Sequence, residues 1–187
     1  MKGKIVLQSN GRKEGFKMKF SVNDTVIYGT HGVCTVEEIS KREFCGTTGD
    51  YYTLKPVFSD RSTIYVPVEK NTDPKPRKVM SESEVYEVIR DLPASQCAWV
   101  ENDMARKNAF SVILKSGSAS EIAGLVKTLY EKHASLEKQN KRLHSADKRV
   151  LSEAEKMFHE EVAYVLNIER DSVAPFISET LRKMKEA

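Results

Sequence analysis

Cysteine is scarce in this sequence, and the few copies present do not form a metal-binding pattern. The chain has three cysteines in 187 residues, at positions 34, 45 and 97, and no CxxC pair. An odd number without that spacing argues against a disulfide framework and against a structural zinc site, and it fits a reducing compartment. The four histidines are scattered without the spacing of metal ligands. We therefore expect no metal and no cofactor.

Long apolar runs and catalytic motifs are also missing. No window approaches the run of about 20 apolar residues that crosses a membrane, and the first residues lack the apolar segment of a secretory signal. The sequence contains no glycine-rich phosphate loop, no HExxH and no GxSxG. These absences favour a cytoplasmic binding protein that is not an enzyme and does not contact membranes.

Positive charge is concentrated at the start of the chain. Residues 1–19 hold six basic residues and one acidic residue, which leaves a net charge of −2 for the remainder of a chain whose total is +3. Whole-molecule attraction to nucleic acid is therefore weak, and any contact with DNA must come from a local patch. Residues 1–17 show no apolar period, and we expect them to be a disordered leader or tag.

Residues 18–78 are rich in β-branched and aromatic side chains and predict a small antiparallel β-barrel. The alternating segments predict strands at 25–28, 33–39, 50–58 and 63–68, with a short fifth strand at 79–80. A small barrel has exposed edges, so a partner sheet could pair with one of them. Basic residues on these strands and turns would then set the register, or they could simply block aggregation at the edge. These residues are Lys41, Arg42, Lys55 and Arg61.

Residues 79–187 have helical spacing and predict a module of about five helices. Two sequences of the capping-box type, at 81–84 and 118–121, predict the starts of the first and third helices. The second helix is expected over about 101–115, the fourth from Ser145, and the fifth from Asp171 or Ser172. The fold class is therefore α+β and multidomain, with a barrel at 18–78 followed by an all-α domain at 79–187.

Trp99 is the only tryptophan, and two interpretations of it remain open. A tryptophan just before a helix often packs into its own domain as a staple. Alternatively, an exposed ring can act as a wedge that stacks on a base or enters a minor-groove step. Basic and polar residues that follow could hold the flanking phosphates. They are Arg106, Lys107, Asn108 and Lys115.

Several blocks in order resemble the CarD/CdnL family of bacterial transcription regulators. The resemblance covers residues 18 to about 182. In the first half it rests on residues 20–28, 31–33, 51–55 and 66–68. In the second half it rests on residues 99–103, 106, 114–117 and 151–155.

The resemblance implies a Tudor-like barrel that binds the β subunit of bacterial RNA polymerase, a module type shared with the transcription-repair coupling factor. Arg42 matches a basic family position at that contact. A second basic position, just before the Val-Pro motif, is Tyr65 here, with Arg61 nearby.

For the helical domain, the resemblance implies a contact with promoter DNA at the upstream edge of the melted bubble, which stabilises the open complex. A family tryptophan wedges into the minor groove there, and Trp99 is the candidate in this chain. In the better-known branch the tryptophan lies one helical turn closer to the Ser-Gly stop, at the position of Asp103. We expect a monomer on the polymerase. The alternative is a protein-interaction adaptor that makes no direct contact with DNA.

Overall fold

The computed structural model describes residues 19–44, 46–59, 62–69 and 74–186. The expectation for residues 1–17 and the proposed role of Arg61 lie outside these described residues. The β-strands are β1 Thr25–Ile27, β2 Val33–Phe44, β3 Thr47–Pro56, β4 Ile64–Pro67 and β5 Arg77–Lys78. The α-helices are α1 Glu82–Asp91, α2 Asp103–Ser116, α3 Ala119–Glu137, α4 Ser145–Leu166 and α5 Val173–Glu186, with 3-10 turns at Gly29–His31 and Arg170–Ser172.

The strands form one antiparallel sheet with the order β4-β3-β2-β1-β5. We call these strands the sheet module and the five α-helices the helical module. This arrangement confirms the predicted fold class of a β domain followed by a helical domain. No pairing between the end strands β4 and β5 is seen in the described ranges, so closure into a Tudor-like barrel stays a prediction.

One face of the sheet carries the apolar core of its module. Successive side chains of a strand point to opposite faces, and the inward set packs into one buried cluster. Its members are Phe20, Val26, Cys34, Val36, Tyr52, Leu54 and Val66. Six of these seven side chains lie in segments that the sequence predicts as strands.

Two details of the sheet differ from the prediction. The sequence predicts strands at 33–39 and 50–58, but the β2–β3 ladder continues beyond both segments, as far as the pair of Phe44 with Thr47. The fifth strand is Arg77–Lys78 rather than residues 79–80. Arg77 pairs with Ile27 of β1, and the chain then leaves the sheet, with the Met80 amide donating to the Glu161 carboxylate at 3.0 Å. That carboxylate comes from α4, which the local sequence could not reveal.

The helix caps follow their local sequences with two exceptions. Ser81 and Glu84 form the full capping box of α1, as predicted. Ser118 caps α3 by accepting from the Glu121 amide, but the Glu121 carboxylate accepts from the Ser116 hydroxyl at 2.7 Å, so the predicted box is incomplete. At α4 the cap is His144 rather than Ser145, since a ring nitrogen of His144 accepts from the Ala146 amide. Within the described ranges, no helix has both the length and the apolar composition needed to cross a membrane.

Helix α4 joins the two modules. One face of it buries Ala154, Phe158 and Val162 in the core of the helical module. The other side meets the sheet. There the hydroxyls of Tyr164 and Thr25 are hydrogen-bonded at 2.8 Å, and Arg77 of β5 forms an ion pair with Glu161. The sheet and the helices therefore share a direct polar contact along one helix.

Candidate interaction surfaces

The outer edge of the sheet carries an exposed aromatic cluster. Strand β4 lies at the end of the sheet, and in the described residues only one of its edges is paired. Tyr65 of β4 and Phe44 of β2 are each 41% exposed, and their rings lie 5.6 Å apart. Phe44 also packs edge-on against Tyr51 at 4.9 Å. The guanidinium of Arg42 lies 4.4 Å from the centre of the Tyr65 ring. We call these four residues the aromatic edge cluster.

The register of the sheet explains why these side chains meet. Arg42 and Phe44 are two residues apart on β2, and Tyr65 is opposite Thr53 on β3, so all point to the outer face. A guanidinium over a tyrosine ring gains cation–π attraction while it stays free to bind a carboxylate. Here Arg42 already pairs with Glu38 at 2.9 Å. The face therefore offers exposed ring surface to a partner, and a carboxylate of that partner would compete with Glu38 for Arg42.

The other basic residues predicted for the sheet lie apart from this cluster. Lys41 follows the alternation to the opposite face, across from Asp50. Lys55 shares the outer face but forms an ion pair with Glu37 at 3.6 Å. Of the predicted docking residues, the structure therefore brings together Arg42 and Tyr65.

Trp99 packs against the core of the helical module. Its ring meets Phe110 edge-on at 6.3 Å, and the module's partly buried apolar side chains include it. Two cationic groups lie over the ring: the guanidinium of Arg106 is 4.4 Å from its centre, and the ammonium of Lys132 is 4.5 Å from it. This packing favours the staple interpretation over that of an exposed wedge.

Arg106 does not reach the surface, contrary to its expected role as a phosphate contact. The residue is 5% exposed. Its guanidinium donates to both carboxylate oxygens of Asp147, at 2.9 and 3.2 Å, and to Asp103 at 2.7 Å. The hydrogen bonds to Asp147 raise the pKa of Arg106. A buried charge needs such partners to offset its lost hydration. Arg106 is therefore a structural cation that joins α2 to α4.

The remaining predicted DNA residues lie on the exposed side of α2. Lys107, Asn108 and Lys115 share this side with Met104 and Val112, which are each 67% exposed. We call these five residues the α2 outer face. In the described part of the chain, neither lysine forms an ion pair. The face thus combines two free cations with exposed apolar side chains.

A stronger basic patch lies where α3 meets α4, at a segment whose sequence, 138–142, predicts only a solvated helix end or loop. Five exposed cations surround this connection without an ion pair in the described residues. They are Lys138, Lys141, Arg142, Lys148 and Arg149, which we call the basic junction. Asp147 is the only acidic residue within 138–149, and it is buried against Arg106. The signal was visible as two basic runs, but their approach depends on the turn between the helices.

A cleft connects the α2 outer face to the basic junction. It has a volume of about 370 Å³ and is lined by Met104 and Lys107 of α2 and by His144, Arg149 and Val150 around the start of α4. The Arg106–Asp147 pair and the carboxylates of Asp103 and Glu153 also line it. The two surfaces are therefore adjacent, and a single anionic polymer could contact both of them.

The thiols of Cys34 and Cys97, the two cysteines within the described residues, are unsuited to nucleophilic chemistry. Burial raises the pKa of the Cys34 thiol to about 12, with a smaller contribution from Glu160. Burial likewise raises the pKa of Cys97. Both thiols therefore stay protonated at neutral pH. Over the residues that the structure describes, no group of three histidine, cysteine or acidic side chains could hold a metal ion.

Models of known protein families match both halves of the chain. The model of the CarD-like/TRCF RID domain matches residues 20–73, and the model of the CarD C-terminal domain matches residues 84–178. The chain belongs to the CarD family. CarD is a family of non-enzymatic transcription factors, and its domains imply that this chain is a transcription regulator that interacts with RNA polymerase.

Each of the two matched regions contains at least one of the candidate surfaces. The aromatic edge cluster lies within the CarD-like/TRCF RID match, and the α2 outer face and basic junction lie within the CarD C-terminal match. Strand β5 falls between the two matched regions although it completes the sheet. The domain boundary at 78/79 stays a prediction.

Proposed function

We propose that the sheet module docks on the β subunit of bacterial RNA polymerase while the helical module holds promoter DNA near the upstream edge of the melted bubble. One observation carries the proposal. Within the described residues, the chain has a sheet edge without a paired strand and a separate patch of cations without ion pairs. The edge lies in the region matched by the CarD-like/TRCF RID domain and the patch in the region matched by the CarD C-terminal domain. The regulator thereby stabilises the open complex as a cytoplasmic monomer bound to polymerase.

Docking uses the free edge of β4. The backbone groups of Ile64–Pro67 can extend a sheet of the partner, and main-chain hydrogen bonds of this kind supply affinity without a deep pocket. The aromatic edge cluster adds specificity. Tyr65 and Phe44 provide exposed ring area, and Arg42 binds an acidic group of the partner by exchanging its pair with Glu38.

Contact with DNA uses the basic junction and the lysines of the α2 outer face. Lysine and arginine bind phosphates without reading sequence, and this contribution weakens as salt is added. The net charge of the chain is only +3, so free duplex binds weakly. Docking on polymerase holds the patch beside the DNA and raises its effective concentration. A regulator that prefers the open to the closed complex then shifts that equilibrium by its differential affinity.

Binding measurements with polymerase and with promoter duplex test whether the two modules bind different partners. We compare the wild type with Arg42→Glu and with the double variant Lys148→Glu/Arg149→Glu, using polymerase in one assay and fluorescent promoter duplex at low salt in the other. Arg42→Glu should lose affinity for polymerase and keep its affinity for DNA. The junction variant should do the reverse.

The matched control is Lys183→Glu/Lys185→Glu. It makes the same change in charge on exposed residues of α5, and it should keep both affinities. If the junction variant and this control behave alike towards DNA, the basic junction is not the DNA surface.

The alternative is an adaptor whose helical module binds protein instead of DNA. The internal placement of Trp99 and Arg106 favours it, because two of the predicted DNA residues are engaged within the module. A junction variant that retains the full effect on transcription would support the adaptor and reject the DNA contact.

A further inference from the structure

One arginine lies where the sheet module, α2 and α4 converge. Arg77 belongs to β5, and its backbone pairs with Ile27 of β1. Its side chain crosses to the helical module. The guanidinium reaches Glu161 of α4 and also Gly117, the residue that ends α2.

The guanidinium is held at several points. Its two terminal nitrogens donate to the two oxygens of Glu161, at 2.7 and 2.6 Å. Its Nε donates to the carbonyl of Gly117 at 2.5 Å, and one terminal nitrogen also donates to the Lys78 carbonyl at 3.0 Å. Glu161 in turn accepts from the amide of Met80. Every contact fixes a direction as well as a distance, because the fork of arginine is rigid and planar.

The pair is shielded from solvent. The side chain of Glu161 is 3% exposed and that of Arg77 is 26% exposed. The backbone around Gly117 is close as well. Its φ is +66°, and a Cβ added there would lie 3.7 Å from Nε of Arg77 and 3.9 Å from the side chain of Ile27. The end of α2 therefore rests directly on the sheet, with Arg77 beside it.

We propose that Arg77 is the positioning residue that sets the DNA-contacting surfaces at a fixed orientation to the β4 docking edge. Lys115 is two residues before Gly117 on α2, and Lys148 and Arg149 lie on the same helix as Glu161. Both proposed DNA surfaces therefore include residues of α2 or α4, the helices that Arg77 contacts through Gly117 and Glu161. The part of this inference that concerns promoter opening rests on the proposed function.

Arg77→Lys is the informative substitution. Lysine keeps the positive charge but cannot form the two-point contact with Glu161 together with the bond to Gly117. The matched control is Arg182→Lys on α5, where the arginine makes similar forked contacts with Glu179 and Glu186 inside one exposed helix. If Arg77→Lys does not fold, Glu161→Gln removes the charge of the partner and keeps its size.

Residual dipolar couplings of backbone amides measure the orientation directly. In the wild type and in Arg182→Lys, the couplings of the sheet and of the helices should fit one alignment tensor. In Arg77→Lys each module should fit its own tensor, while slow amide exchange at Leu54 and Leu125 shows that both cores remain intact. A purely stabilising role would lower amide protection without separating the tensors.

The functional measurement uses the same variants. Arg77→Lys should bind polymerase and free duplex as the wild type does, yet its gain in open-complex lifetime should fall by about tenfold because the tether no longer presents the DNA surface correctly. A single tensor in Arg77→Lys overturns the inference. So do separated tensors with a full gain in lifetime. If the wild type itself gives no gain, the proposed function fails, and the tensors alone then decide whether Arg77 sets the orientation.

Discussion

Removal of the Asp147 carboxylate should strongly destabilise the helical module. In Asp147→Ala the guanidinium of Arg106 stays inside the protein and loses its two hydrogen bonds of 2.9 and 3.2 Å. Breaking a buried ion pair from one side typically costs about 3–5 kcal/mol, because an uncompensated charge remains. Asp103 and the carbonyls of Val100 and Glu101 still contact Arg106. We therefore expect the lower end, about 3 kcal/mol.

Urea unfolding followed by circular dichroism measures this loss. Folded domains have about 5–15 kcal/mol of stability, so the midpoint should move clearly to lower urea. In the double variant Arg106→Met/Asp147→Leu most of the stability should return, since apolar replacements remove both charges together. Glu179→Ala on α5, which breaks an exposed pair with Arg182, serves as the control and should change little. A loss below about 1 kcal/mol in Asp147→Ala would refute the assignment of Arg106 as a buried structural cation.

Three further predictions test other parts of the structure. Trp99→Ala should lower the free energy of unfolding by about 2 kcal/mol in urea titrations and leave the affinity for free duplex unchanged; a selective loss of DNA affinity would contradict the staple. Gly117→Ala should lower stability by about 1–2 kcal/mol in thermal melts, since its φ is +66°; an unchanged melt would contradict that strain. Burial raises the pKa of Glu160, opposed by Lys156 and Arg170. The neutral acid is thus favoured in the folded state, so stability falls as pH rises from the ordinary value through the folded pKa. Glu160→Gln should flatten that slope in melts at several pH values, and an unchanged slope would contradict it.

Most of the fold could be predicted from local patterns in the sequence. The alternation around Val26, Cys34 and Val36 predicted strands that the structure shows, and the Ser81–Glu84 sequence predicted the start of α1. Such features depend on neighbours within a few residues, so a single sequence displays them. The family resemblance rested on blocks of the same kind, and the two family matches confirm it.

The site depended on contacts between distant residues, and these the sequence could not show. Arg106 looked like a phosphate ligand because its partner Asp147 is 41 positions away. The sequence predicts the fifth strand two residues too late, at 79–80. The residue that holds Arg77 is Glu161, 84 positions further along the chain, and a local pattern does not show such a partner. Residues 138–142 predict only a solvated helix end or loop when taken alone, because the two basic runs of the junction meet only through the turn between α3 and α4.

The lifetime of the open complex tests the central claim most directly. Cognate polymerase on a promoter is challenged with competitor, alone and with the wild type, Arg42→Glu, Lys148→Glu/Arg149→Glu and the Lys183→Glu/Lys185→Glu control. If the sheet module docks on polymerase and the basic junction holds DNA, the wild type and the control lengthen the lifetime and the other two variants do not. A junction variant that lengthens the lifetime as fully as the wild type would contradict a DNA contact at the basic junction.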